Sequence, residues 1–355
     1  MGVSSVKVVT ISLFLILGML LAGLLMQPKG SSVAWNIKES DFPVNATSED
    51  KALFLVNYAV LAPSTHNSQP WKFNISENTI RIFPDRSRWL QVADADQREL
   101  FISLGCALEN LLVAAEHFGY SYNVTYITGE TDPAIIVELA PGGPSSSDSR
   151  LFEAILSRQT SREPYEDRPI NDSDLQILQS INKDWNGTIY LTSDSGLKSG
   201  FEDLIVQADQ FQYSDPNYKS ELGHWLSLGM MGPTGIQAVI AQLAVVFLDM
   251  GPDQAKKDAA LVNSTPILGI IGSEENDRIS QIKAGQAFER LWLEATAQGL
   301  SVHPMSQTLE VSDTKAEMQK FLPTGSHYVQ QAFRLGYSKG EQDHTPRRPL
   351  QDVLV

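Results

Sequence analysis

The chain contains a single cysteine, Cys106, so no intrachain disulfide can form and no thiolate cluster can hold a metal. Cys106 sits in an apolar periodic run and reads as a buried structural thiol. The six histidines are scattered, with no HExxH and no close pair, so the sequence offers no metal site. Positive charge is scarce: Lys+Arg 27 against Asp+Glu 42 gives a formal net charge of -15, which repels polyanions and argues against a nucleic-acid partner. G-x-S-x-G, P-loop and G-x-G-x-x-G patterns are all missing, which removes the signatures of hydrolase and nucleotidase chemistry.

One segment lacks charge altogether. Residues 8–26, VVTISLFLILGMLLAGLLM, lie between Lys7 and Lys29 and are long enough to cross a bilayer as a helix. No convincing small-x-small cleavage site follows Met26, so a retained single-pass anchor is expected, with a secretory signal as the alternative. Lysines on the two flanks nearly balance and barely orient the segment. N-x-S/T matches at Asn45, Asn74, Asn123, Asn171, Asn186 and Asn263 lean weakly toward an external globular part.

The remainder has ordinary globular composition, 42% hydrophobic and 19% charged over the 355 residues. Residues 1–30 form the anchor or signal segment and 31–47 a polar linker. Thr47, Ser48, Glu49 and Asp50 then supply caps and first-turn acids for a helix that ends before Pro63. Strands are predicted around residues 71–75, 79–83 and 134–139, with a helix through Leu104, Leu108, Leu111 and Ala115 between them. PGGPSSSDS at 141–149 marks an internal boundary, dividing the chain into halves at 48–145 and 146–355.

Those halves carry a repeat. Residues 102–119 align without gaps on residues 282–299, with Ile102, Gly105, Ala107, Glu109, Leu111, Ala115 and Gly119 each finding the same residue 180 positions later. Average composition gives roughly one such match in a window of this length, so a duplicated domain is expected. Two packed copies imply a pseudo-twofold interface, with any site there drawing residues from both halves.

Two polar stretches have no evident packing purpose. APSTHNSQPW at 62–71 holds five small polar side chains, including Ser64, Thr65, Asn67 and Gln69, between Pro63 and Pro70. Such a loop can offer hydrogen bonds to the edge of a planar heterocycle, or can simply be a Ser/Asn turn. RQTSR at 158–162 puts Arg158, Thr160 and Arg162 within one turn, equipment for a phosphate monoester or a solvated basic patch. Arg347 and Arg348 form a further basic pair near the C-terminus.

APSTHNSQPW with the following W-x-F resembles the APSxxNxQPW loop of the nitroreductase superfamily of FMN proteins. RQTSREPYEDRPI resembles that family's R-x-S/T-x-R phosphate motif, residues 285–307 its central helix and following strand, and the segment from Arg334 its C-terminal part. These four blocks cover most of residues 48–354. The phosphate motif follows the polar loop instead of preceding it, as in the fused, duplicated branch that resembles the mycobacterial Acg protein. The resemblance implies an α+β fold, a nitroreductase-like α/β/α sandwich duplicated into a pseudo-dimer, with helices on both faces of each sheet and the repeat helices at the seam. It implies one FMN per monomeric chain, with Pro63, Ser64, Thr65, Asn67 and Gln69 completing a site of the second half. Arg158, Thr160 and Arg162 are then assigned to the phosphate with Arg348, and less firmly Arg347, closing over it; Pro304 and Met305 present backbone to the ring. No side chain is nominated as catalytic. The implied activity is NAD(P)H-dependent reduction of a nitroaromatic or quinone-like acceptor; the alternative is a protein that sequesters or senses FMN without turnover. SLGMMGPTG at 227–235 reads either as a cover over the site or as a buried helix end.

Overall fold

The computed structural model describes residues 32–127, 133–143, 149–181, 185–322, 328–340 and 343–355. The expected anchor at 8–26 and most of the expected boundary at 141–149 lie outside the described residues. One described helix, Arg98–His117, is long and apolar enough to cross a membrane, but it is 89% buried inside the protein and is a core helix.

Alternating apolar residues in two stretches build two four-stranded antiparallel sheets. The first comprises β1 (Trp71–Ser76), β2 (Thr79–Pro84), β3 (Tyr120–Tyr126) and β4 (Ile135–Pro141), in the order β1-β2-β4-β3. The second comprises β5 (Gly187–Thr192), β6 (Ile267–Ser273), β7 (Ser301–Pro304) and β8 (Tyr328–Gly336), in the equivalent order β5-β6-β8-β7. Helix α1 (Ser48–Ala59) opens the first half on the expected cap, the Thr47 hydroxyl accepting from the Asp50 N–H. Helix α2 (Arg98–His117) follows β2. Helices α3 (Arg150–Ser157) and α4 (Asp172–Ser180) lead into the second half.

The halves differ in how their first two strands connect. A two-residue turn at Glu77 and Asn78 joins β1 to β2. Between β5 and β6 the chain instead makes four helices, α5 (Ser195–Ser214), α6 (Pro216–Ser227), α7 (Gly235–Phe247) and α8 (Gly251–Asn263). Helix α9 (Arg278–Ala297) then precedes β7, and α10 (Gln307–Glu310) and α11 (Ser312–Met318) separate β7 from β8. Consequently β6 is buried along its whole length, covered by α9 on one face and by α5 and α8 on the other. The first sheet buries one face and turns Asn74, Arg81, Ser121 and Glu138 outward, and among the described residues its helices pack on the buried face.

The repeat occupies the seam. Helices α2 and α9 are each 20 residues long and begin and end 180 positions apart. Both stop at a left-handed glycine, Gly119 with φ 77° and Gly299 with φ 76°, which caps the last turn without steric cost. Where the helices cross, a Cβ on Gly105 would lie 1.9 Å from the Ile282 carbonyl oxygen, and one on Gly285 would lie 2.0 Å from that of Ile102. The contact is reciprocal, as an approximate twofold axis requires. Beside it, Glu109 pairs with Arg290 and Glu289 faces Asn110, again exchanged positions of the repeat.

The C-terminal tail returns to the first half. Phe73 N–H donates to the Val353 carbonyl at 2.7 Å and Val355 N–H donates to that of Phe73 at 2.9 Å, extending the first sheet with a short parallel segment. Because the nearest atoms at the helix crossing are backbone, Gly105→Ala is expected to destabilise the chain by about 2–4 kcal/mol. Gly119→Ala, with nothing within 4 Å of its Cβ but an unfavourable φ, is expected to cost about 1 kcal/mol. Chemical unfolding of the detergent-solubilised full chain, comparing the two midpoints, checks this order.

Candidate functional site

The loop between α1 and β1 is held in a costly conformation. His66 (φ 50°), Asn67 (φ 50°) and Gln69 (φ 52°) all adopt left-handed backbone, which costs non-glycine residues about 1–3 kcal/mol each. Surrounding groups enforce it. The Ser64 hydroxyl accepts from the Gln69 N–H at 2.8 Å, and the Asn67 amide donates to the carbonyls of Met230 at 2.6 Å and Pro346 at 2.9 Å. Arg348 donates to the Gln69 carbonyl at 2.9 Å and ion-pairs with Asp85 at 3.1 Å; its own N–H donates to the Gln69 side chain at 2.8 Å. Arg158 and Arg347 both donate to the Leu61 carbonyl, at 2.8 and 2.9 Å, and Arg347 also reaches the Asn67 side-chain oxygen at 3.1 Å. Arg158 further pairs with Glu289 at 3.2 Å and lies over the Trp292 ring at 4.6 Å. Burial pushes the Glu289 carboxyl up to about 7, with Arg158 opposing that rise.

This loop forms one wall of a cavity of about 340 Å³ between the halves. Pro63, Ser64, Thr65, His66 and Asn67 line it, with Ile102, Ser103 and Cys106 from α2. Opposite stand Arg158, Thr160, Arg162, Phe288, His303, Pro304 and Arg347. The helical excursion roofs it with Tyr218, Met231 and Lys257. Met230 is buried just beyond α6, so the SLGMMGPTG stretch serves both as a buried helix end and as part of the cover.

Residues nearly a hundred positions apart, Asn67 and Arg158, thus face one cavity. Nine of the twelve residues singled out from the sequence line it, and three do not. Gln69 is fully buried behind the wall, where its amide ties the loop to the C-terminal tail. Arg348 sits behind the same wall on Asp85. Met305 points into the core beside Leu268 and Ile270, and its N–H donates to the Ala332 carbonyl. The guanidiniums expected to act together on a phosphate divide their work: Arg158, Arg347 and Arg348 clamp the loop, whereas Arg162 is exposed and makes no ion pair among the described residues.

Several lining residues were not singled out from the sequence. Trp35, in the supposed polar linker, stacks on His344 at 3.9 Å, lies under Arg347 and donates to the Thr345 carbonyl at 2.9 Å. Lys257 and Asp258 lie on α8, where charge ordinarily reads as a solvated face. His66 stands inside the polar loop at 62–71 and His303 inside the 285–307 block of the resemblance, and that placement was the available signal. Arg334 donates to His303 Nδ1 at 3.0 Å, which places the imidazole proton on Nε2. Burial, with Arg334, Arg162 and Lys257 nearby, keeps this histidine neutral, so Arg162 and Lys257 bear on the same side of the cavity. Burial pushes the Asp209 and Asp258 carboxyls upward, the Asp258 charge pushes Asp209 further, and the Gln307 amide bonds both. The thiol of Cys106 is buried and donates to the Gly285 carbonyl at 3.3 Å, consistent with a structural role.

Chemically, the cavity combines apolar walls (Ile102, Phe288, Leu261), hydroxyl and imidazole donors, and two cations, Arg162 and Lys257, that share the field of the Asp258 carboxylate. His66 Nδ1 and Arg347 Nε are buried without a hydrogen-bond partner among the described residues, an arrangement that a bound polar ligand would relieve. Burial, then Arg162, lower the His66 pKa to about 4. Its depressed value means that His66 contributes stability above the ordinary value of 6.5, lost as pH falls toward 4. His66→Asn, which tolerates the left-handed backbone, is expected to flatten that acid limb in thermal unfolding measured between these two pH values.

No family model matches the chain. A Mycobacterium tuberculosis H37Rv protein provisionally named NAD(P)H nitroreductase Rv3131 is 28% identical over 316 residues, covering 84% of this chain and 90% of its own. The protein acg of the same strain, likewise provisionally named an NAD(P)H nitroreductase, is 24% identical over 329 residues, covering 88% and 97%. PigM of Serratia sp. ATCC 39006, which bears the same activity name provisionally, is 22% identical over 343 residues, covering 88% and 95%. Among solved structures, a BluB-like flavoprotein from Clostridium difficile 630 aligns at 14% identity and TM-score 0.40, over 58% of this chain and 97% of that one.

Proposed function

We propose that this chain is a member of the nitroreductase superfamily, an FMN-dependent oxidoreductase drawing electrons from NAD(P)H. The observation that carries the proposal is the cavity itself: one strained polar loop and two cations, from opposite halves, around a slot with apolar walls. Its volume lies in the range of small-molecule sites. The residues present fit FMN. Arg162, Lys257 and Thr160 would hold the phosphate, with charge-assisted bonds from the two cations. Ser64, Thr65 and His66 offer donors and acceptors to the ring edge, and Pro304 lies along the facing wall. Asn67, Gln69, Arg158, Arg347 and Arg348 position this wall through the bonds that fix its backbone. When bound, FMN supplies two-electron transfer between the nicotinamide and an acceptor. The chain's own part is to bind, orient and exclude water. His303 keeps one N–H of fixed tautomer beside the cavity, and the partly protonated Asp209–Asp258 pair holds a proton near it. The acceptor class consistent with the slot is a nitroaromatic or quinone. We also infer that residues 8–26 tether a monomeric pseudo-dimer to a membrane.

Sequestration without turnover is the second reading, favoured by the roof that α6 and Met231 form over the cavity. The deciding experiment adds FMN to the detergent-solubilised full chain, follows the flavin absorbance, and titrates anaerobically with NADH and NADPH. Bleaching that reverses on adding benzoquinone or a nitroaromatic is the expected result. Bound flavin that resists both donors would favour sequestration, and absence of binding would overturn the cofactor assignment. Arg162→Gln is expected to weaken FMN binding about 10–100-fold, the worth of one charge-assisted contact.

A further inference from the structure

Among the described α-helices of this acidic protein, α7 alone carries no charged residue. From Gly223 to Leu248 the chain has no Asp, Glu, Lys or Arg, although 19% of all residues are charged. Inward, α7 buries Ala238 and Val245. Outward, Ile236, Ile240, Leu243 and Phe247 recur at helical spacing on a single face, and Leu248, just past the helix end, is also exposed. Ile236 is 41% exposed, Ile240 56%, Phe247 74% and Leu248 58%. A helix apolar on both faces belongs in a buried place, and nothing among the described residues covers the outer one.

Two chain lengths say what covers it. Only residues 27–31 separate the uncharged run at 8–26 from the first described residue, Ser32, and five residues span at most about 18 Å. Three residues later Trp35 lines the cavity. From Trp35, hydrogen bonds run through Thr345, Pro346 and Asn67 to Met230, five residues before α7 begins. The exit toward the anchor and the segment that leads into the uncovered helix therefore meet at the cavity rim. We propose that α7 lies in the bilayer interface, seating the cavity against the membrane so that the electron acceptor is a lipid-dissolved quinone. This rests on the oxidoreductase reading above for the acceptor, and on the anchor for the docking. The balanced step is NAD(P)H plus quinone plus one proton giving NAD(P)⁺ plus quinol: two electrons and two protons reach the quinone, one of them as hydride. With a net charge of -15, seating is by apolar burial rather than by attraction to anionic lipid.

The test uses the full chain in phosphatidylcholine vesicles. An environment-sensitive fluorophore is placed by Phe247→Cys or, as a control on exposed α11, by Glu317→Cys; native Cys106 is buried. Expected is strong quenching by lipids carrying a nitroxide on the acyl chain at 247 and none at 317. Ile240→Asp with Phe247→Asp should lower turnover of a long-tailed quinone in the vesicles at least tenfold while leaving turnover of water-soluble benzoquinone unchanged. Absence of lipid quenching at 247 overturns the docking, as does a fluorophore shielded by a second copy with a dimer seen by mass photometry. Equal loss on both quinones overturns the lipid-borne acceptor. If FMN fails to bind, the oxidoreductase reading falls alone, because the quenching does not depend on flavin.

Discussion

The close crossing of α2 and α9 is the constraint from which the rest of the structure follows. Gly105 and Gly285 let two backbones meet at a separation that no side chain allows, and each faces the carbonyl of an isoleucine from the other half. That contact brings the polar loop of the first half over the RQTSR segment of the second. Sideways slippage of the helices would separate the two walls of the cavity. The small residue is needed twice, at positions related by the duplication, which is why both copies kept it.

Around this axis the symmetry is deliberately incomplete. Glu109 has a cation as its partner across the seam, Arg290, whereas Glu289 finds Asn110 there and turns to Arg158. This substitution recruits Arg158 into holding the strained loop through the Leu61 carbonyl. The four-helix excursion between β5 and β6 has no counterpart in the first half and roofs the cavity. Its α6 also docks on the first half, the Glu221 carboxylate accepting from the N–H groups of Val92 and Ala93. Roof, wall and floor thus come from segments that are remote in sequence.

Much of this was legible in the sequence. The duplicated helices announced themselves through seven identities at constant offset, and the strands of the first half through alternation. The polar loop and RQTSR read as a shared site through the family resemblance, since each alone also fits a Ser/Asn turn or a solvated basic patch. What stayed illegible was the use of each arginine. A guanidinium bound to backbone carbonyls, such as Arg348 on Gln69, and one that lines the cavity, such as Arg162, have the same local sequence character. Only the fold decides between them. Trp35 was hidden for another reason: a lone aromatic in a polar stretch has no period, and its stacking partner His344 lies over three hundred residues away.

The path of the C-terminal tail sets the order in which the site can come into being. The loop at 62–71 is made early, yet its backbone waits for Arg347 and for the Pro346 carbonyl, some 280 residues downstream. At about 5–20 residues per second of synthesis, that interval is tens of seconds. Until Pro346 and Arg347 have left the ribosome, the strained loop has no reason to hold its shape. The wall of the cavity is then fixed only after the tail is made, and the tail acts as a latch between the two halves.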